Sequence, residues 1–349
     1  MSKMPSAKNK VVVASAGSRK TTMIVEEAIA LVGKRILITT YTHENLDQIR
    51  SYLIEKCGHV PKHIVLLSWF SFLLQEGIRP YQSFVTEKSR IASILFKDMP
   101  SGTKYAPKNN LDRYYLANSG DIYRDRVSDF VCTCDERSGG LIVRRLEKAY
   151  DHIFIDEVQD LAGYDLTFLE KLFQSALPIT AVGDPRQGTF STNNSGKNKK
   201  FKRSGIFDWV LQHSGSGLIT MEEKNDSFRC NQVICDFADV LFPDFNKTKS
   251  MNGTTTGHDG IFMIKKPEVP TYFESYKPVV LRWNKQSDTM NLPAFNIGAS
   301  KGRNYDRVLI FPTGPMKAYL KSRNLDHVGD RSKLYVAVTR ARYSVAFVI

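Results

Sequence analysis

Short, unbroken runs of β-forming apolar residues recur along the chain, and their continuity constrains the fold more than any other feature. In the first half they are KVVVA (10–14), RILITT (35–40), HIVLLS (63–68), HIFID (152–156) and PITAVG (178–183). In the second half they are GLITM (217–221), IFMI (261–264), PVVLRW (278–283), RVLIF (307–311) and SVAFVI (344–349). A strand with one wet face alternates apolar and polar residues, whereas a strand covered on both faces reads as a continuous apolar stretch. With helical patterns between them, these runs predict parallel sheets flanked by helices, an α/β fold. The 349 residues suit two domains, each able to bury its own core. The Gly/Ser-rich break HSGSG (213–217) places the join, giving expected domains at 1–214 and 215–349. Residues ~80–148 are polar and irregular, with SGTKYAPKNN and CDERSGG as loop signals, and read as an insertion in the first domain.

Charge narrows the partners. A formal net charge of +13 favours polyanions, with nucleic acid first and plain solubility as the alternative. Within TNNSGKNKKFKRS (192–204), Lys197, Lys199, Lys200, Lys202 and Arg203 form a basic run that is either a solvated loop or a nucleic-acid contact. The five cysteines, Cys57, Cys132, Cys134, Cys230 and Cys235, are odd in number and irregularly spaced. They read as reduced thiols of a cytoplasmic protein rather than as metal ligands. The N-terminal MSKMPSAKNKVVVASAG has no apolar core of signal-peptide length, and no run approaches the ~18 apolar residues of a membrane span. A soluble protein with no membrane partner is expected.

Two segments carry chemistry. ASAGSRKTT (14–22) follows a strand and precedes MIVEEAIALV, whose periodicity is helical, so it has the context of a phosphate-binding loop. In that reading Ala16, Gly17, Ser18, Arg19 and Thr22 wrap phosphates, Lys20 reaches the β/γ-phosphates, and the Thr21 hydroxyl meets Mg²⁺. The positive end of the following helix adds to the site. The alternative is a small-residue turn, because Ala14 and Arg19 stand where the strict pattern has glycine. In HIFIDEVQDLAG a strand delivers Asp156 and Glu157 at its end, where open parallel sheets bind ligands. Asp156 would hold Mg²⁺ through water and Glu157 would deprotonate an attacking water, although adjacent acids are also common as surface charges.

Seven segments in order resemble a superfamily 1 helicase of the UvrD/Rep type: ASAGSRKT (motif I), TYTHENLDQIR (40–50, motif Ia), DEVQD (156–160, motif II), VGDPRQGTF (182–190, motif III), SFRCNQVICDFA (227–238), ASKGRNYDRVLI (299–310) and LYVAVTRAR (334–342). The last is close to the family's Y-V-A-x-T-R-A. The resemblance implies two RecA-like domains in tandem, ATP and Mg²⁺ as cofactors, and single-stranded DNA as partner. It also implies that Gln187 senses the γ-phosphate, and that Arg229 and Arg340 reach it as arginine fingers. Thr40, Thr42 and His43 would bond the DNA backbone, and Phe190 would stack on a base. SWFSFLL (68–74) occupies the place of motif Ib, which makes Ser68 and Trp69 candidate DNA contacts, although the helical spacing of WFSFLL suits a core equally well.

Departures from the family pattern matter as much. Only 19 residues precede Lys20, too few for the upstream glutamine that reads adenine in the family, so loose base selectivity is expected. Asn304 and Gly298 replace a family glutamate and histidine, and 57 residues between Ala238 and Asn296 are too few for the large accessory domain. The expected function is a DNA-stimulated ATPase that translocates 3′ to 5′ on single strands, with unaided strand separation in doubt. The alternative is a slowly hydrolysing regulatory subunit that binds nucleotide or DNA, with a protein partner such as the nuclease of a bacterial antiviral defence system. Arg19 is expected to slow or tune ATP use without abolishing it, its side chain pointing away from the phosphates or adding charge near them.

Overall fold

The structure, a computed structural model, describes residues 8–349, so the start of the basic N-terminal stretch lies outside the described residues. The continuous apolar runs form strands, and the strands form two sheets. The first sheet contains β1 (Lys10–Ala14), β2 (Ile36–Thr40), β3 (Ile64–Ser68), β6 (His152–Ile155), β7 (Ile179–Gly183) and β8 (Thr220–Lys224), in the order β3-β2-β6-β7-β1-β8. β2 runs parallel to both β3 and β6, and β6 parallel to β7. Every residue of β2 and β7 is buried, as strands covered on both faces require.

The second sheet contains β11 (Gly260–Ile264), β12 (Val279–Arg282), β13 (Ala294–Asn296), β14 (Tyr305–Phe311) and β15 (Ala341–Val348), in the order β11-β15-β14-β12-β13, with every pair parallel. The sequence analysis counted GLITM with the second half. The structure instead starts that strand at Thr220 and places it as β8 at the edge of the first sheet. Its exposed charges, Glu222, Glu223 and Lys224, suit an edge and hid the strand's extent. Two short parallel pairs complete the strands: β4 (Ile94–Leu95) with β5 (Ile122–Tyr123), and β9 (Asp226–Ser227) with β10 (Lys249–Ser250).

Two compact units result. One contains Thr21–Gly183 and Ser191–Glu222 together with residues 8–12. The other contains Val13–Lys20, Asp184–Phe190 and Glu223–Ile349, so the segments that follow β1 and β7 group with the C-terminal part of the chain.

The polar stretch ~80–148 belongs to the first unit and is more ordered than its composition implies. Its second half is helical, at Val127–Arg137 and Leu141–Ala149. The helix Val127–Arg137 buries Val127, Phe130, Val131, Cys132 and Cys134. Two of its three acids are buried too, and each of these has a cation: Lys108 reaches Asp129 at 2.8 Å and Lys171 reaches Asp135 at 3.1 Å. Paired buried carboxylates read as surface polarity in a sequence, which is why these helices were not apparent. Gly77 lets the helix approach, since a Cβ there would lie 2.9 Å from the Val131 methyls. All five thiols are free, and burial pushes Cys134 up to about 12. No helix among the described residues is long and apolar enough to cross a membrane.

At the start of β6, burial lowers the His152 imidazole from 6.5 to about 4, while its ring stacks on Phe154 at 4.3 Å and its Nε2 meets Thr180 Oγ1 at 2.9 Å. The unfolded chain therefore takes up this proton first as pH falls, so the stabilisation is complete above pH 6.5 and is lost on going down to about 4. Urea midpoints measured from pH 7 to 4.5 should fall more steeply for the wild type than for His152→Gln.

Candidate nucleotide site and nucleic-acid groove

β1 ends at Ala14, the chain turns through residues 15–19, and a helix starts at Lys20. Gly17 holds φ 81° in this turn. The first-turn N–H groups of a helix have no intrahelical acceptors, so a helix mouth after such a turn suits an anion. Lys20 Nζ rests 3.4 Å from the Ser15 carbonyl. Thr21, the next residue, begins the segment of the unit that carries Asp156, and its Oγ1 donates to Asp156 Oδ2 at 2.9 Å. The structure thus brings together the hydroxyl and carboxylate that the sequence separates by 135 positions. Asp156 is buried and also accepts from the Glu157 N–H at 2.9 Å. Glu157 has φ 57°, a left-handed backbone that aims its side chain out of the strand line, and the Gln159 amide donates to its carboxylate. Two hard oxygens side by side suit Mg²⁺, an ion that commonly takes one or two protein oxygens and completes its shell with water and phosphate.

In the other unit, Asp184 at the end of β7 is the centre of a buried network. It accepts from Arg186 Nε at 2.8 Å, from Gln187 Nε2 at 2.9 Å and from the Tyr335 hydroxyl at 3.1 Å. Burial alone would raise the Asp184 carboxyl, but Arg186 and then Lys20 outweigh it, and the group lies below its usual range. The Tyr335 hydroxyl also accepts the Ala16 N–H at 3.3 Å, so one phenol joins the loop after β1 to the Asp184 network. Arg340 donates to Gln187 Oε1 at 3.0 Å and to the carbonyls of Val336 and Arg303, and is almost fully buried. Arg229 donates to the Thr339 carbonyl at 3.0 Å. Gln187, Arg340 and the loop 13–20 therefore belong to one packed body. Tyr335 was missed as a site residue, although it is the tyrosine of the Y-V-A-x-T-R-A match.

Arg19 holds φ 61°, where a side chain costs ~1–2 kcal/mol relative to glycine. Its guanidinium lies over the Phe228 ring, 3.9 Å from the centroid. A cation on an exposed ring is worth ~0.5–1 kcal/mol, which offsets part of the strain.

A groove of about 510 Å³ in the first unit is lined by Tyr41, Thr42, His43, Ser68, Phe70 and Phe96, among others. Thr42 caps the helix His43–Cys57 by accepting from the Asn45 N–H at 3.2 Å, and His43 is exposed at its first turn. Ser68 caps the next helix through the Ser71 N–H, and both serines line the groove. Phe96, 62% exposed, comes from the inserted stretch and meets Phe70 edge-on at 5.3 Å. Sequence reasoning missed it because an isolated Phe in a polar segment carries no periodic signal. Thr40 is buried just before the groove. Trp69 is a correction: only 1% exposed, it donates Nε1–H to Asp165 Oδ1 at 2.7 Å, so the core alternative describes it and no base can stack on it as folded. Lys197, Lys199 and Lys200 are exposed around a short 3₁₀ turn, and Phe190 is 39% exposed with Lys301 over its ring at 5.9 Å.

The model of the UvrD/REP helicase N-terminal domain matches residues 113–198, which include Asp156, Glu157 and Gln187. Two solved structures of arterivirus nonstructural protein 10 (helicase), one alone and one with DNA, share the architecture at 14% identity. They give TM-scores of 0.51 and 0.50 over 98% of this chain. The chain shares the fold of these two helicases. The chain spans 60% and 61% of the length of those two proteins. No curated protein matches the sequence.

Within this helicase-like fold, Asp165 was a further omission of the sequence analysis. Its fully buried carboxylate accepts from Trp69, Ser128, Thr192, Asn193 (3.0 Å) and the Ala162 N–H (3.3 Å). It thereby ties the Ser68 helix, the insertion and the segment after motif III into one unit. Burial pushes its pKa up, and the hydrogen bonds from Ser128, Thr192 and Trp69 oppose that. Asp165→Ala leaves several buried donors unsatisfied and should cost about 3 kcal/mol or more in a urea titration.

Proposed function

We propose that this chain is an ATP-driven motor on single-stranded DNA, with the 3′-to-5′ polarity of the UvrD/Rep type. The observation that carries the reading is the 2.9 Å hydrogen bond from Thr21 to Asp156 at the head of the helix that follows the small-residue loop. In a phosphoryl-transfer site these two oxygens hold Mg²⁺, which would neutralise charge on the β- and γ-phosphates. The backbone of Ala16–Arg19 and the first turn through Thr22 bind phosphate, and Lys20 orients the terminal one. Glu157 takes the proton of the attacking water. Gln187 reports the γ-phosphate to Arg340 through the hydrogen bond that Arg340 donates to its amide oxygen, and Arg229 and Arg340 stabilise the charge that spreads in the transition state.

Single-stranded DNA is the polymer that the groove fits best. Capped helix starts at Thr42 and Ser68 present backbone N–H groups and hydroxyls to phosphates, while Phe70 and Phe96 offer aromatic faces to bases. Phe190 adds an exposed ring, and Lys197, Lys199 and Lys200 add charge. ATP turnover should rise strongly with single-stranded DNA and fall about 10²-fold or more in Glu157→Gln. Slow turnover indifferent to DNA favours the regulatory-subunit reading, and negligible turnover in every sample overturns both. Phe96→Ala should weaken binding to a labelled oligonucleotide about tenfold, from the loss of one base stack.

A further inference from the structure

Arg19 departs from the phosphate-loop pattern, and the structure gives its side chain a specific occupation. Four contacts join the loop to the segment 227–229. The Ser227 hydroxyl donates to the Ala16 carbonyl at 2.8 Å, and the Phe228 N–H donates to the Gly17 carbonyl at 3.0 Å. Gly17 lies so close that a Cβ there would sit 2.7 Å from both Arg229 Cβ and Ser227 Oγ. The fourth contact is the Arg19 guanidinium, which lies over the Phe228 ring 3.9 Å from its centroid. The first two contacts use backbone or small groups that many residues in the loop would permit, and the third requires glycine at position 17. The fourth exists because residue 19 has a side chain, and that side chain is held in a left-handed backbone that glycine would occupy without strain.

We infer that Arg19 is a positioning residue: by stacking on Phe228 it locks the phosphate loop to segment 227–229 and so sets Arg229 at a fixed place relative to the loop. The inference rests on the ATPase reading above, in which Arg229 stabilises the transition state. The guanidinium is exposed on the ring and its charge is engaged there, so Arg19 acts through Arg229 rather than on the phosphates. Phosphate affinity is set by the loop's N–H groups and Lys20, which the stack does not supply. Loosening the lock therefore affects the transition state more than binding. Of the two sequence-based expectations, that Arg19 slows or that it tunes ATP use, the inference takes the second.

The test is steady-state ATP turnover at saturating single-stranded DNA for wild type, Arg19→Gly, Arg19→Lys, Phe228→Leu, Arg229→Ala and the double variant Arg19→Gly/Arg229→Ala. Arg19→Gly and Phe228→Leu should each lower kcat about fivefold to tenfold while KM for ATP moves less than twofold. Arg19→Lys, which keeps a cation over the ring, should recover part of the loss. In the Arg229→Ala background, Arg19→Gly should have no further effect on kcat. An unchanged or raised kcat in Arg19→Gly overturns the inference, as does a loss that multiplies with that of Arg229→Ala, or one that appears wholly in KM. A wild type without turnover overturns the ATPase reading as well. A wild type that turns over beside an unaffected Arg19→Gly overturns this inference alone.

Discussion

A parallel strand delivers its chain at one end of the sheet and needs a crossover to return, so the carboxyl ends of such strands collect the connecting loops. That constraint organises the functional residues here. In the first sheet Thr40 pairs in register with Ser68, and Thr39 with Ile155, which sets Asp156 one residue past the same edge. The helix caps at Thr42 and Ser68 and the carboxylates at Asp156 and Glu157 then follow from where the strands stop. A one-residue slip of β6 would turn Asp156 to the opposite face and break its bond with Thr21.

Buried charge does the rest of the positioning. Asp165 gathers donors from three separate segments in one unit, and Asp184 gathers Arg186, Gln187 and Tyr335 in the other. Neither carboxylate could be buried without those partners, and each partner is held in place by the carboxylate. Trp69 shows the consequence: a residue in the place of a DNA-contact motif is recruited as a donor to Asp165. The phenol of Tyr335 does the reverse, turning an apolar helix position into a link between Asp184 and the loop after β1.

Arg19 combines both themes at a smaller scale. Backbone strain persists where surrounding contacts over-determine it. Here the three other ties between the loop and segment 227–229 hold the conformation, and the ring of Phe228 receives the charge. What reads as a defect in the pattern of a phosphate loop is, in the folded chain, one of its attachments.

The sequence by itself determined the two parallel sheets, nearly every strand within them, and the places of the loop 14–22 and the Asp156–Glu157 pair at strand ends. Continuous apolar runs and short local motifs are local properties, and local properties survive in a linear string. Tertiary structure alone decided the rest. The strand at 220–224 joined the first sheet because edge position is a matter of neighbours, and its charges obscured it. The helix Val127–Arg137 looked like surface because the cations for Asp129 and Asp135 come from elsewhere in the chain. Trp69 went to the core, Phe96 to the groove and Arg19 to the face of Phe228 for the same reason. Which partner a side chain meets across tens or hundreds of residues is set by packing, and packing is written in no single segment.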